Sequence, residues 1–254
     1  MTITLITCTY NAEAVIQRTL DSVLSQKYAD IEHVIVDGKS TDATLAIAQQ
    51  YKTTSHMQRT GHKISIFSSP DKGLYDAMNK GIAYAHGEYL CFLNAGDVLQ
   101  DKDTIADIAS KASSGGPYSV VYGETDVVDD KGTFLYHRKL HAPERLTWHS
   151  FSNGMLVCHQ AFYANTLLAK ETPYNLRYRI SADVDWCIRI LKAGEKNGMS
   201  TLNMRRVVCR YLAGGMSIKN HRESLMERFD TMREHYGLLR TVLQHIRFLF
   251  KKER

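Results

Sequence analysis

Residues 68–97, SSPDKGLYDAMNKGIAYAHGEYLCFLNAGD, predict an amphipathic helix followed by a buried strand. Apolar side chains recur at helical spacing in the first part, and Gly87 follows where such a helix would end. The apolar run at 88–93 then predicts a strand that leads to Asn94 and Asp97. Open α/β sheets bind ligands at the carboxyl ends of their strands, where loops vary while the strands stay packed. We therefore expect this strand to deliver the Asp97 carboxylate to a site.

The chain before this stretch alternates between short apolar runs and helical patterns. Strands that alternate with helices of this length predict an α/β fold with a parallel sheet and helices on both faces. The predicted elements, in order, are a strand at 3–8, a helix at 12–26, a strand at 31–36, a helix capped by Ser40 or Thr41, and a strand at 64–67.

After Asp97 the pattern changes to short strands and separate helices. We expect residues 1–97 to form a nucleotide-binding half and residues 98–218 an acceptor-binding half of one domain, followed by a helical extension at 219–254. The second half is predicted to contain strands at 120–122, 126–128 and 133–139, a hairpin turn at 129–132, a helix at 160–170 and a helix from Ser181.

Composition limits the class of protein. A chain of 254 residues with 44% hydrophobic content can bury a large α/β core. Five scattered cysteines, mostly in apolar runs, indicate buried thiols in a reducing compartment. No apolar run approaches the roughly 20 residues of a membrane-spanning helix, and no basic segment precedes the first apolar stretch, so we expect a cytoplasmic protein. The net charge is +5, of which +4 lies in the last 15 residues, and the nearly neutral remainder argues against a nucleic-acid partner.

Two segments at predicted strand ends have side chains suited to a nucleotide. Residues 7–13, TCTYNAE, offer amides, hydroxyls and the Tyr10 ring, although an ordinary connection with Asn11 as the helix cap explains them equally well. In VDGKSTD, Asp37 can accept hydrogen bonds from a ribose or a base, whereas Asp42 suits the first turn of the following helix. Neither GxGxxG nor GxxxxGK[ST] occurs, so a dinucleotide-binding fold or a P-loop enzyme is poorly supported.

Asp97 also suits a divalent cation. Mg²⁺ and Mn²⁺ take one or two protein oxygens and leave other positions to phosphate and water. Asp97, with Asn94 beside it, can therefore hold such an ion against a nucleotide diphosphate. The alternative is a turn in which Asn94 and Gly96 supply unusual backbone angles.

The segments TCTYNAE, VDGKSTD and DKGLYDAMNKGIAYAHGEYLCFLNAGD, in this order and at these distances, resemble the N-terminal half of family 2 glycosyltransferases. The chain is most similar to bacterial polysaccharide-assembly members of the colanic-acid type, and more loosely similar over residues 150–218. The resemblance implies a GT-A fold, which is Rossmann-like with a mixed sheet, and a nucleotide-sugar donor that is usually UDP-linked. It also implies inverting transfer to a hydroxyl of a glycan acceptor in surface polysaccharide biosynthesis.

Carried over by position, the resemblance implies a nucleoside pocket and a metal position. Asn94 and Asp97 stand where the family has its metal-binding acidic motif. Because this chain has Asn at the first place and Gly96 at the third, Asp97 is the sole strong ligand for Mg²⁺ or Mn²⁺. The side chains that the resemblance places in the nucleoside pocket are those of Thr9, Tyr10, Glu13, Asp37 and Asp71.

The segment ISADVDWCIRI, residues 180–190, predicts a helix with two acidic residues in its first turn. Residues two apart on a helix point about 200° apart, so Asp183 and Asp185 cannot both face one ligand. The family pattern here is an acidic pair, one residue and a further Asp, with Ala182 in place of the first acid. The resemblance makes Asp183 the general base, and an ordinary Asp pKa of about 3.9 leaves it ionised near neutral pH. The alternative is two acids that serve the helix dipole.

Several features carry weaker predictions. Asp129 and Asp130 suit an exposed hairpin turn better than a metal pair. His159 and Gln160 follow an apolar run and either contact a sugar or form part of the core. The segment 211–217 contains a glycine pair, as does a family loop that can close over the donor. Side chains predicted to meet the diphosphate are those of Arg205, His221 and Arg222.

The C-terminal residues 238–254 have the pattern of an amphipathic helix with cations between the apolar positions. This pattern is typical of a helix on an anionic membrane surface, which would suit a lipid-linked acceptor. Packing against the chain's own domain, or against a second subunit in a homodimer, explains the pattern as well. The apolar residues that repeat are Leu239, Val242, Leu243, Ile246, Leu249 and Phe250.

Two other functions stay open. A sugar nucleotidylyltransferase shares this type of sheet, but it usually needs a glycine-rich start with a basic residue after the first strand, and TCTYNAE has neither. A non-catalytic nucleotide-sugar binding protein would explain the single metal-binding carboxylate and Ala182.

Overall fold

The computed structural model describes residues 1–215 and 220–251. Within them, one mixed sheet of nine strands runs through both halves of the chain. The strands are β1 (Ile3–Thr9), β2 (Ile31–Asp37), β3 (Lys63–Ser68), β4 (Tyr89–Phe92), β5 (Val98–Leu99), β6 (Tyr118–Val128), β7 (Phe134–His137), β8 (Phe162–Asn165) and β9 (Ser200–Leu212).

The strand order is β3-β2-β1-β4-β8-β6-β9-β5, with β7 paired to β6. Two short 3₁₀ turns, Trp148–Asn153 and His159–Ala161, lie in the second half. The helices are α1 (Ile16–Leu24), α2 (Thr44–Gln58), α3 (Leu74–Tyr84), α4 (Thr104–Ser113), α5 (Thr166–Glu171), α6 (Ala182–Lys196), α7 (His221–Tyr236) and α8 (Leu238–Lys251).

Strands β1 to β4 form the parallel part of the sheet, as the alternation of strands and helices predicts. Every residue of β1, β2 and β4 is buried, which explains why these strands are short apolar runs without alternation. A series of hydrogen bonds between polar side chains connects these strands near their carboxyl ends. His33 Nε2 lies 2.9 Å from Thr7 Oγ1, which donates to the carbonyl of Leu93 at 2.7 Å, and His33 Nδ1 lies 2.8 Å from the Tyr51 hydroxyl.

The second half of the sheet is mixed. Strand β8 is antiparallel to both β4 and β6, while β6 is parallel to β9. The two strands predicted at 120–122 and 126–128 are one continuous strand, β6, because its first part pairs with β8 and its last part with β7. The turn at 129–132 closes the hairpin, and the Asp129 carboxylate accepts the N–H groups of Lys131 and Thr133.

The helix predicted at 160–170 is wrong. The chain instead makes the turn His159–Ala161, then β8, and only then the short helix α5. Phe162 and Tyr163 are fully buried between two neighbouring strands, and such a run has no alternation that would reveal a strand. The Asn165 side chain accepts the N–H groups of residues 167 and 168 and so fixes the start of α5.

Two helix starts also differ from the prediction, and a third helix differs only in its cap. Helix α1 begins at Ile16 rather than at residue 12, after a turn. Helix α2 begins at Thr44, whose N–H is accepted by the Asp42 carboxylate at 3.0 Å, so neither Ser40 nor Thr41 caps it. Helix α6 does follow Ser181, as predicted. The Ser181 hydroxyl, however, lies 2.9 Å from that of Ser224 and makes no hydrogen bond to the helix.

Helices α7 and α8 follow the sheet and form the C-terminal helical extension. Helix α7 packs against α6, and the Glu227 carboxylate accepts the N–H groups of Arg179, Ile180 and Ser181 just before α6 begins. Across the residues that the structure describes, none of the helices is both long enough and apolar enough to span a bilayer. The side chains of Leu249 and Phe250, and residues 252–254, lie outside the described residues.

Candidate active site

The first three strands end in register at one edge of the sheet. Thr9 of β1 pairs with Asp37 of β2, and Asp37 pairs with Ser68 of β3. The side chains that the sequence placed in the nucleoside pocket therefore begin from neighbouring strand ends. This is the edge at which open α/β sheets bind their ligands.

The Asp37 carboxylate is buried and fully engaged. One oxygen accepts the Ser40 hydroxyl at 2.5 Å, the other accepts the Ser68 hydroxyl at 2.6 Å, and both accept the Ser40 N–H. Asp37 thus fixes the loop after β2 and the end of β3. Its contacts build the wall of the site, and a nucleoside would meet the groups that it positions.

Glu13 and Asp42 cross-link the loops after β1 and β2. The Glu13 carboxylate accepts the Ala43 N–H at 2.8 Å, and the Asp42 carboxylate accepts the Glu13 N–H at 3.1 Å. Asn11, with a φ of +46°, accepts the Thr41 N–H at 2.9 Å through its side-chain oxygen. Asn11 therefore joins the two loops and does not cap α1. Together these contacts hold the rim of the site in one conformation.

Three side chains at this sheet edge offer groups that a ligand could contact, namely Tyr10, Asp71 and Thr9. The Tyr10 ring is 65% exposed. An ideal Cβ built on Gly38 would lie 2.5 Å from Asp71 Oδ2 and 3.4 Å from Tyr10 Cδ2, so both side chains lie over this glycine. Thr9 Oγ1 is buried, and no residue in the described ranges forms a hydrogen bond with it. An aromatic face beside a carboxylate and a hydroxyl suits a base and its ribose.

Asp97 lies in the connection between β4 and β5, directly before β5, and is buried against β9. Its Oδ1 accepts the Leu212 N–H at 3.0 Å, and its Oδ2 accepts the side-chain amide of Gln160 at 3.1 Å. Gly96 has a φ of +101°, and a Cβ there would lie 2.8 Å from the Leu212 side chain. Glycine is needed at this position because β9 approaches so closely. Burial raises the pKa of Asp97 above its usual value, although these hydrogen bonds act in the opposite direction.

Asp183 lies at the start of α6, next to His159. His159 Nδ1 is 3.3 Å from Asp183 Oδ2, and His159 Nε2 is 3.2 Å from the amide nitrogen of Asn94. Burial by itself raises the pKa of Asp183. The hydrogen bond from His159, together with the charge of Arg228, outweighs burial and lowers that pKa below its usual value. Asp183 therefore stays ionised although its side chain is mostly buried.

His159 and Gln160 bring the two carboxylates together. Gln160 binds Asp97, and His159, the preceding residue, binds Asp183. Residues 97 and 183, far apart in the sequence, therefore lie on either side of one short turn. The sequence indicated His159 and Gln160 only as side chains that either contact a sugar or pack in the core. Their position after an apolar run was the only sequence feature that indicated a role for them. No rule of residue spacing predicts that a turn residue contacts the start of a distant helix.

Asp185 points away from this site, as the helical geometry predicts. Its carboxylate binds Arg189 Nε at 2.7 Å and His235 Nε2 at 2.8 Å, which connects α6 to α7. Burial raises the pKa of Asp185. The hydrogen bonds and charges of His235 and Arg189 have the larger effect, so the pKa of Asp185 lies below its usual value. Asp185 is therefore a structural residue, and Asp183 alone faces the site.

The oxygen atoms near Asp97 fit a hard divalent cation. Asn94 Oδ1 is buried and has no hydrogen-bond partner among the residues that the structure describes, and the Asp97 carboxylate is three residues away in the same turn. One carboxylate and one free amide oxygen match the preference of Mg²⁺ and Mn²⁺, which take their remaining ligands from phosphate and water. In the described part of the chain, no cluster of three His, Cys, Asp or Glu side chains forms a complete metal site.

The weaker candidates lie elsewhere or are only partly described. Arg205 forms an ion pair with Glu144 in the middle of β9, seven residues before Leu212, and its contact with the diphosphate stays a prediction. His221 and Arg222 are exposed at the start of α7. The last two residues of the predicted loop 211–217 lie outside the described residues.

The fold and the site together define a nucleotide-sugar transferase of the GT-A type. Comparison with known sequences agrees, because the sequence model described as "Glycosyl transferase family 2" matches residues 4–181. The chain therefore belongs to glycosyl transferase family 2. This membership favours a glycosyltransferase over a sugar nucleotidylyltransferase or a non-catalytic binding protein.

Two curated relatives support this assignment. A PGL/p-HBAD biosynthesis glycosyltransferase of Mycobacterium tuberculosis is 37% identical over 211 residues, which covers 82% of this chain and 76% of the relative. The amylovoran biosynthesis glycosyltransferase AmsB of Erwinia amylovora is 30% identical over 197 residues, which covers 74% of this chain and 63% of the relative.

Solved structures show the same fold at low sequence identity. S. aureus TarS 1-349 in complex with UDP-GlcNAc has a TM-score of 0.71 at 17% identity, covering 98% of this chain and 73% of TarS 1-349. The mannosyltransferase PcManGT from Pyrobaculum calidifontis, in complex with GDP-Man and Mn²⁺, has a TM-score of 0.65 at 18% identity, covering 95% of this chain and 73% of that protein.

Proposed function

We propose that this glycosyltransferase moves a sugar from a UDP-linked donor to a hydroxyl of a surface glycan, with inversion at the anomeric carbon. The observation that carries the proposal is the turn at His159 and Gln160, which holds Asp183 and Asp97 on either side of one site. UDP-GlcNAc bound to TarS and the polysaccharide role named for AmsB support the donor and the acceptor class.

Asp183 is the proposed general base. Its carboxylate takes the proton of the acceptor hydroxyl while the hydroxyl oxygen attacks the anomeric carbon. The new bond forms on the face opposite the diphosphate, and the bond to the diphosphate oxygen breaks with its electron pair leaving on that oxygen. A single displacement of this kind inverts the anomeric centre and needs no covalent sugar intermediate. The lowered pKa keeps Asp183 ready to accept the proton at neutral pH.

The donor lies in residues 1–97 in this proposal, and the acceptor in residues 98–218. Tyr10, Asp71 and Thr9 contact the nucleoside, while Asp37 and Glu13 hold the loops that carry them. Asp97 and Asn94 would hold Mg²⁺ or Mn²⁺, which neutralises charge on a leaving diphosphate when bound. PcManGT, solved with GDP-Man and Mn²⁺, is a structural neighbour with such an ion.

We place the reaction in the cytoplasm, at the inner face of the plasma membrane. The five cysteines are free and buried, which suits a reducing compartment. Helix α8 exposes Leu239, Leu243 and Ile246 beside Arg240 and Arg247, and this face would bind anionic lipid. Removing residues 238–254 should abolish binding to anionic liposomes. If liposome binding is unchanged, the face packs against the chain's own domain. If the wild type is a dimer that dissociates when these residues are removed, the face binds a second subunit.

A panel of nucleotide sugars tests the proposed activity. A donor that binds only the folded chain raises the unfolding temperature according to its occupancy, so thermal shifts identify the donor. Slow release of nucleoside diphosphate from that donor, measured with and without Mn²⁺, supports sugar transfer. Release of pyrophosphate, or the absence of a shift with every nucleotide sugar, would contradict the proposal. Product anomeric configuration, determined by NMR, tests inversion.

A further inference from the structure

A small pocket of mostly apolar character lies between α6, α7, α8 and the turn Trp148–Asn153. Its enclosed part measures about 70 Å³. Three residues of α7 line it at a spacing of three and four, which places them on one face of that helix. The pocket is lined by Phe151, Met155, Val184, Leu225, Arg228 and Met232, together with Gly154 and, from α8, His245.

Most of the lining is buried, but one side of the pocket is open. Phe151, Met155, Val184 and Met232 are each less than 9% exposed, whereas Leu225 is 45% exposed at the rim. The enclosed volume is well below the roughly 300 Å³ of a typical small-molecule site. The pocket therefore has room only for a segment of a longer ligand, and its open side is at Leu225.

Arg228 gives this apolar pocket a permanent positive charge. Among the residues that the structure describes, Arg228 has neither an ion pair nor a hydrogen bond, and its Nε is buried without a partner. The Arg228 side chain as a whole is half-buried, and a guanidinium group stays protonated, so the cost falls on its buried Nε–H, which has no acceptor within the described ranges. An anion next to apolar groups is the ligand chemistry that would complete this pocket.

The pocket adjoins the proposed general base. Val184, one of the lining residues, directly follows Asp183, and the charge of Arg228 acts on the Asp183 carboxylate. The nucleoside groups, by contrast, lie at the ends of β1, β2 and β3. A ligand in this pocket is therefore next to the residue that would deprotonate the acceptor hydroxyl.

We infer that this pocket is an acceptor subsite for an amphiphilic phosphate, in which Arg228 binds the phosphate that links the acceptor sugar to an apolar chain. The first methylene groups of the chain occupy the apolar lining, and the remainder passes over Leu225. This inference rests on the proposed function, because it identifies the substrate class that the glycosyltransferase site receives. The chemistry of the occupant is that of a phosphorylated lipid, and a free phosphate would leave the apolar lining unused.

Three soluble probes separate the components of this ligand. Octyl phosphate below its micelle concentration carries both the anion and the chain, inorganic phosphate carries only the anion, and octyl β-glucoside carries only the chain with a neutral sugar. We expect saturable binding of octyl phosphate to the full-length protein, measured by calorimetry, and much weaker binding of the other two. Equal binding of octyl glucoside or of inorganic phosphate would overturn the inference, as would displacement of octyl phosphate by UDP.

Two variants and a matched control test the residues. Arg228→Met keeps the length of the side chain without its charge, and it should weaken octyl phosphate binding by about ten-fold or more, the effect of losing a charged hydrogen bond. Leu225→Glu places a carboxylate at an exposed rim position and should weaken binding similarly. Arg233→Met removes an exposed arginine of the same helix that pairs with Asp230, and binding should not change. Equal binding by Arg228→Met and the wild type would show that Arg228 acts only on Asp183.

Measuring nucleotide-sugar binding alongside octyl phosphate binding distinguishes a failure of this inference from a failure of the proposed function. If the wild type binds a nucleotide sugar but not octyl phosphate, the subsite inference fails and the proposed function stands. If the protein binds no nucleotide sugar, the proposed function fails and the subsite with it. Arg228→Met should bind the donor as the wild type does, because the nucleoside groups belong to other strand ends.

Discussion

His159 Nδ1 lies 3.3 Å from Asp183 Oδ2, while the other ring nitrogen of His159 faces the amide nitrogen of Asn94 at 3.2 Å. An amide N–H donates, so Nε2 accepts and Nδ1 carries the proton that is donated to Asp183. The turn that ends β4 thereby fixes the tautomer of a histidine that orients the proposed base. The proposed donor half of the chain is linked in this way to the proposed base.

Replacing His159 tests this relationship. His159→Ala should lower kcat roughly 10- to 100-fold and leave the KM for the donor nearly unchanged, because it removes one hydrogen bond to a charged carboxylate and not a donor contact. Steady-state release of nucleoside diphosphate gives both constants. His56→Ala, at an exposed position near the end of α2, is the control. A change in KM alone would assign His159 to substrate binding.

Asp183→Asn should lower sugar transfer by about 10²- to 10⁴-fold, the usual contribution of a general base. The amide fills the same space but cannot take a proton, so the variant should still bind the donor, as measured by calorimetry. Asp185→Asn, two residues away on the other side of α6, is the matched control and should keep kcat at temperatures where it is folded. Full turnover by Asp183→Asn would remove this residue from the mechanism.

The parallel half of the fold follows directly from the sequence, whereas the mixed half does not. Strands β1, β2 and β4 are apolar runs separated by helical patterns, so local spacing identifies them. Strand β8 lies in the middle of the sheet between β4 and β6. It is only four residues long and largely buried, so its sequence has no alternation that would identify a strand. The same limit applies to the site. A motif after a strand indicated Asp97 and a motif at a helix start indicated Asp183, but only tertiary packing brings His159 and Gln160 between them.

Asp185→Asn should lower the free energy of unfolding by about 3 kcal/mol at neutral pH, because it breaks a buried ion pair between α6 and α7. The pKa of Asp185 is lowered in the folded state, so its contribution is present above the unfolded value near 3.9 and is lost as pH falls through the lower folded value. Urea unfolding at several pH values should show the difference from wild type shrinking below about pH 4. A constant difference would mean that charge is not the cause.

Asp97→Asn should fold with little loss of stability and lose the effect of Mn²⁺ on nucleotide binding. Burial already raises the pKa of Asp97, so a neutral side chain of the same shape is tolerated, whereas a cation requires the carboxylate. Thermal shifts with UDP, with and without Mn²⁺, measure both effects. Asp130→Asn, in the exposed hairpin turn, is the control. A variant that keeps its Mn²⁺ response would place the ion elsewhere.

His33 should make the protein less stable as pH falls from 7 to 5. Burial lowers the pKa of His33 to about 3, against about 6.5 in the unfolded chain. Below pH 6.5 the unfolded state therefore binds a proton that the folded state does not bind, and stability decreases by about 2 kcal/mol over this range. His33→Gln removes the titrating group, so the stability gap between the wild type and this variant should narrow by that amount between pH 7 and pH 5 in urea unfolding. A gap that stays constant would show that the folded state binds the His33 proton as readily as the unfolded state, with Thr7 and Tyr51 rearranged around it.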